Sequence, residues 1–316
     1  AQENPMHKKT YRLIFLMMTL VIALPLFGGA AKEVSGAQET RPLVAVSILP
    51  QKYAVDMIAG DLVDTVVLVG PGQSPHSYEP TPKQMTELSR SDVWILSGTD
   101  FEMALVPKIS SLYPRLMIVD GTEGVSFRYL EDHDHEEEPH AQEEPDSLQI
   151  DRHTWLGSEP MKILATHIAR TLASLDETHA ATYLENLQMF HGRIDQVFDS
   201  LATDLRTLRG TTVFVYHPSF GYLLDEFGII QEAVETGGKE PTAKALAELI
   251  KNAQDHDVRA IFVQAQFPTS AARNVAQAIG AQVLPLDPLA YDWMENIRLI
   301  GRTLLDTFVG KTGEQP

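Results

Sequence analysis

The chain reads as an α/β protein of two lobes, each built on a mainly parallel sheet, with one long rigid helix joining them. Three observations predict this. Short apolar runs alternate with helical segments on both sides of the chain's middle, the pattern of parallel β–α units. Between them an apolar stripe, Leu184, Leu187, Phe190, Ile194, Phe198, Leu201, Leu205 and Leu208, recurs at steps of three and four. Histidines and one aspartate stand just past apolar runs or beside likely element ends, where open α/β sheets hold ligands.

Composition narrows the function. At 316 residues there is length for two ordinary domains, and 44% hydrophobic residues supply their cores. A net charge of −18 argues against a nucleic-acid partner, which needs a basic face, and against attraction to anionic lipid. It favours cations. With no cysteine there is no disulfide framework, thiolate metal site or catalytic thiol.

Residues 1–37 read as a cleavable signal peptide. Met6 to Arg12 is basic, Leu13 to Phe27 is apolar, and Ser35-Gly-Ala37 offers small residues for cleavage. The apolar run is shorter than the roughly 20 residues of a membrane anchor. No cysteine follows the cleavage site, so a lipid anchor there is excluded. The mature protein is expected in the periplasm.

The N-terminal lobe is expected over 38–178. Leu43 to Leu49 is a buried strand ending at Pro50, Gln51 to Ala59 a helix stopped by Gly60-Asp61, and Thr65 to Val69 a second strand. Gly70-Pro-Gly-Gln-Ser-Pro-His76 is a loop. Thr81 caps a helix that has Pro82 at its first position. Val93 to Leu96 and Leu116 to Val119 are further strands. The segment 129–145 is too densely charged to pack. Its His133, His135 and His140 can bind divalent metal weakly. Met161 to Leu175 is helical.

The stripe predicts a linking helix over 179–209, about 45 Å long at the usual rise. A stiff backbone spanning both lobes accounts for it better than a dimeric coiled coil does. The C-terminal lobe, 210–316, repeats the plan. Its strands are Thr212 to Tyr216, Ala260 to Gln264 and Gln282 to Leu286. Its helices are Phe220 to Phe227, Pro241 to Gln254, Thr269 to Ile279 and Asn296 to Val309.

The candidate metal ligands are His76, His153, His217 and Asp287. Three imidazoles and a carboxylate are what a tetrahedral zinc ion takes. Their wide spacing is that of a site assembled from four loops, two in each half, with the metal in the cleft between lobes. Imidazole favours zinc over calcium or magnesium. Asp151 either orients His153 or caps its loop. Tyr78, Trp155 and Phe220 read as cleft-wall packing. His167, His179, His191 and His256 read as helix-surface or core residues.

Four stretches carry a resemblance: Ser-Pro-His76-Ser-Tyr-Glu-Pro-Thr-Pro, Asp151-Arg-His153-Thr-Trp-Leu, Tyr216-His217-Pro-Ser-Phe-Gly-Tyr and Leu286-Asp287-Pro-Leu. Together, and in this order, they resemble the zinc and manganese solute-binding proteins of ABC importers. The resemblance implies Zn(II) as the transported ligand, a membrane permease as partner and a monomer. It makes His76, His153 and His217 ligands and Asp287 the fourth, with water or Glu79 as alternatives. Manganese members tend to carry a carboxylate in place of the third histidine, so His217 points to zinc. One departure is Phe262-Val-Gln264-Ala-Gln266, where many zinc members have a glutamate at the position of Gln264. Two other functions are weighed: a manganese-binding member of the same family, and a secreted zinc-dependent hydrolase. The hydrolase lacks a His-Glu-x-x-His motif, a serine elbow and a paired acid, with Glu79 its one obvious base.

Overall fold

The computed structural model describes residues 41–130, 149–235, 247, 249–251, 253–254, 258–267 and 269–309. The predicted signal peptide and the charged segment with His133, His135 and His140 lie outside the described residues, as does most of the helix expected over 241–254.

Among the described residues, eight strands form two sheets of four, both wholly parallel. In the first, β1 (Leu43–Val46), β2 (Asp64–Val67), β3 (Val93–Leu96) and β4 (Met117–Asp120) lie in the order β2-β1-β3-β4. In the second, β5 (Thr212–Val215), β6 (Ile230–Ala233), β7 (Ala260–Val263) and β8 (Gln282–Pro285) lie in the order β6-β5-β7-β8. The two orders are the same. In each, the chain leaves its first strand to one side and later crosses to the other, which opens a crevice at the strands' carboxyl ends. Helices cover both sheets, so the inner strands are almost fully buried and read as apolar runs. The outer strands are half-covered and mixed in sequence. This is why β6, Ile-Gln-Glu-Ala, carries no apolar signal.

The helices whose whole span is described are α1 (Leu49–Ala59), α2 (Pro82–Arg90), α3 (Asp100–Leu112), α4 (Ser158–Leu175), α5 (Ala180–Asp204), α6 (Gly221–Glu226), α7 (Thr269–Ile279) and α8 (Trp293–Phe308). Thr81 caps α2 as expected, accepting from the Gln84 backbone N–H. The first strand is shorter than predicted and α1 starts earlier, at Leu49. The cause is Gln51, whose side-chain oxygen accepts from the N–H of Ser47 at 2.8 Å and of Ile48 at 3.2 Å and so turns the chain there. The helix expected from Met161 begins at Ser158, because Pro160 fits the first turn.

The linking helix is α5, which runs 25 residues and tightens into a 3-10 turn over Leu205–Leu208. Its buried face is Tyr183, Leu187, Phe190, Ile194, Phe198 and Leu201. Leu184, the first residue of the predicted stripe, is instead exposed. This face packs on α1 and α4 of the first lobe and on α8 of the second. One hydrophobic core therefore runs through both lobes, with a smaller one on the far side of the second sheet. Trp155 and Trp293 tie it with polar bonds: Trp155 Nε1 donates to Pro288 O at 2.8 Å, and Trp293 Nε1 to Trp155 O at 2.7 Å. None of the described helices is long and apolar enough to cross a membrane.

Candidate metal centre

The carboxyl ends of both sheets supply the site. His76 lies on the loop after β2, where Gly72 takes a left-handed turn at φ 74° and Gln73 accepts from the Gly70 N–H at 2.7 Å. His153 lies on the long connection after β4, and His217 two residues past β5. Their ring nitrogens converge: one ligand atom from each lies within 4.8 Å of the others. The Nε2 atoms of His153 and His217 are 3.2 Å apart. His153 and His217 are buried, and His76 is partly open to solvent.

Every ring is held from behind by a carboxylate at Nδ1. For His76 it is Asp100, 2.6 Å away; for His153 it is Asp151, 2.8 Å away; for His217 it is Glu235, in a very short contact. An ionised carboxylate only accepts, so Nδ1 carries the proton and Nε2 is left bare, facing the centre. Asp151 does both things foreseen for it, since Oδ1 also accepts from the His153 backbone N–H at 3.0 Å. Burial pushes its carboxyl up, but hydrogen bonds and charge from His153 and Arg128 outweigh burial and hold it below the usual range. Asp100 is also held low, first by the hydrogen bond from His76, against burial, and then by the charges of His76 and Arg152. Burial pushes the His217 imidazole down to about 4, the neighbouring histidines add to this, and Glu235 only partly offsets it.

Two bare nitrogen lone pairs 3.2 Å apart repel unless a cation or a shared proton lies between them. Nitrogens each about 2.0–2.1 Å from a tetrahedral zinc ion are about 3.3 Å from one another. The spacing is therefore that of one edge of such a site. The cavity between the rings is about 10 Å³, room for one water-sized sphere. Trp155, Phe267, Pro288 and Leu289 wall it, with the Phe267 ring stacked on His217 at 4.6 Å between centroids.

Asp287 stands outside this group. Its Oδ1 accepts from Gln266 Nε2 at 3.2 Å and from the Leu289 N–H at 2.9 Å. Glu79 is exposed. His167 and His191 are bonded to backbone carbonyls, and His179 to Asp176. Tyr78, Trp155 and Phe220, expected on the cleft wall, are buried in the core, and of the three only Trp155 also lines the cavity.

Sequence reasoning missed Asp100, Glu235 and the role of Gln264. The capping box Thr99-Asp-Phe-Glu102, placed directly after β3, could have located Asp100. Glu235 gave no such signal, because β6 before it gave none. Gln264 is fully buried. It donates to His217 O at 2.7 Å and to Ser219 Oγ at 2.8 Å, and accepts from His217 N at 3.3 Å. This brace needs a donor as well as an acceptor, which an ionised glutamate lacks.

Two lobes on matched parallel sheets, a stiff helix between them and a small cleft at the strand ends define a metal solute-binding protein of an ABC importer. Comparison with known proteins agrees. Residues 44–306 match the family model described as zinc-uptake complex component A, periplasmic, and the chain belongs to this family. The high-affinity zinc uptake system protein ZnuA of Yersinia pestis is 26% identical, covering 78% of this chain and 82% of that protein. Its counterpart in Bacillus subtilis is 22% identical over 90% of both. A solved structure of a ZnuA deletion mutant with zinc bound superposes with a TM-score of 0.77 at 31% identity, covering 87% of this chain and 100% of that one.

Proposed function

We propose that this protein captures Zn(II) outside the cytoplasmic membrane and hands it to the permease of an ABC importer. His76, His153 and His217 are the ligands. The observation that carries this is the convergence of three imidazoles, each with its Nδ1 on a carboxylate and its Nε2 free. Three nitrogen donors suit zinc better than manganese, which prefers oxygen. The fourth position falls to Asp287 once its carboxylate leaves Gln266 and Leu289, or to water. The protein is taken to be exported by its signal peptide and to act as a monomer without a nucleic-acid partner.

Calorimetry on the mature, metal-stripped protein with Zn(II) and Mn(II) tests this. One tight zinc event that displaces manganese is expected. His217→Ala should weaken zinc by more than the roughly 10–100-fold that removing a supporting group costs. Asp287→Asn tells direct ligation from water, because only a direct ligand leaves a large loss. Tight manganese binding that ignores His217 would overturn the ligand set.

A further inference from the structure

Arg128 lies behind the site, on the strand-like segment that enters the charged stretch. Its Nη1 donates to Asp151 Oδ2 at 2.8 Å, on the carboxylate whose other oxygen holds His153. Its Nε donates to Asp225 Oδ2 at 2.9 Å, on α6 of the other lobe. Its backbone N–H donates to the Tyr222 hydroxyl at 3.0 Å, and that hydroxyl donates to Asp151 O at 3.1 Å. One guanidinium thus bridges the carboxylate behind His153 to the helix that begins four residues after His217.

The chain makes room for this bridge. A Cβ built at Gly221, the first residue of α6, would lie 1.9 Å from Arg128 Nη1 and 2.3 Å from its Cζ. Gly221 does not have a positive φ, so backbone conformation does not demand the glycine. What demands it is the guanidinium lying across the start of the helix. The planar fork of arginine reaches both carboxylates at once, which a lysine ammonium does not. Asp151 is fully buried, so removing its cation leaves a buried charge short of a partner.

We infer that Arg128 is a positioning residue for the metal site: through Asp151 it fixes His153, and through Asp225 it locks the His153 loop to the lobe that carries His217. The inference rests on the three-histidine reading above. Its consequence is that metal affinity and retention depend on a residue that touches no metal.

The test measures zinc affinity by competition with a chromophoric chelator, zinc release into excess chelator, and the visible absorption of the Co(II)-loaded protein. Arg128→Met is expected to weaken zinc about 10–100-fold and to alter the Co(II) bands. Gly221→Ala changes no charge and no hydrogen-bonding side chain, yet fills the guanidinium's seat. It should weaken zinc comparably, and the double variant should lose little more than either single one. Asp225→Asn should speed release with a smaller loss of affinity. Should Arg128→Met fail to fold by circular dichroism, Gly221→Ala and Arg128→Lys carry the test, with Lys giving a partial loss. Wild-type affinity and wild-type Co(II) bands in the folded variants would overturn the role of Arg128. A wild-type protein that binds neither ion, or a His153→Ala variant that binds as tightly as wild type, would overturn the site reading itself.

Discussion

His217 shows what a buried candidate ligand costs a protein before metal arrives. Its ring is nearly enclosed, lies against Phe267 and has Glu235 at Nδ1. Burial, aided by the charges of His153 and His76, brings its pKa down to about 4, against about 6.5 in an unfolded chain. The sign of the consequence follows. Between these values the unfolded chain holds more protons than the folded one, so stability falls as pH drops through this window. At pH 7.5 the group is neutral in both states and contributes nothing. Near pH 4 the loss from this group is about 3 kcal/mol. Urea denaturation of the metal-free protein at pH 7.5 and pH 4.5 checks this against His217→Gln, which cannot titrate. Wild type should lose more stability than the variant between the two conditions, and parallel losses would remove His217 as the cause. The same neutrality is what zinc needs, because an imidazolium cannot ligate. The three ring positions were legible in the sequence because each follows a strand or sits in a loop rich in proline or glycine. Their supporting carboxylates were mostly not: Asp100 and Glu235 reach the rings from other strand ends, and only Asp151 is a sequence neighbour.

At the scale of elements, legibility follows burial. Strands with both faces covered, β1, β3, β5 and β7, announce themselves as apolar runs. Of the edge strands, β2, β4 and β8 keep enough apolar residues to be read, but β6 does not, and the carboxylate it delivers was lost with it. Helix starts were legible where a threonine caps them, as at Thr81, and misplaced at α1, where the cap is the side chain of Gln51 reaching back to the N–H groups of Ser47 and Ile48. Close approach of elements leaves its own mark. At Gly121, just past β4, an added Cβ would stand 2.4 Å from Leu96 O and 2.6 Å from Leu164 Cδ1. The first of these is backbone of the neighbouring strand end, which has no rotamer to yield. Gly121→Ala should therefore push β4 away from β3 and α4, at a cost of about 1–3 kcal/mol. A lowered denaturation midpoint with an unchanged m-value is the expected result; an unchanged midpoint would mean that the strand end yields freely.

At the scale of the whole molecule, two sheets of the same order face one small cleft, and the candidate ligands come from both. A cleft of this kind could close by a hinge or by shifts of its loops, and the connection between lobes decides which. Here the connection is a helix of 25 residues whose buried face belongs to the same core as both lobes. Bending it would expose Phe190, Ile194 and Phe198 and break the Trp155 and Trp293 bonds across the interface. Opening the lobes thus costs apolar burial that one metal ion need not supply, because Asp287 and the His76 loop can move locally. The prediction is that zinc loading changes the site and leaves the lobes nearly fixed. Spin labels test it without background, since the chain has no cysteine. Ser89→Cys on α2 and Arg273→Cys on α7 place one exposed label on each lobe. The distance distribution should stay within a few ångströms between the metal-free and zinc-loaded protein. A shift approaching about 10 Å, the width of a helix, would mean that α5 bends and that the cleft works as a hinge.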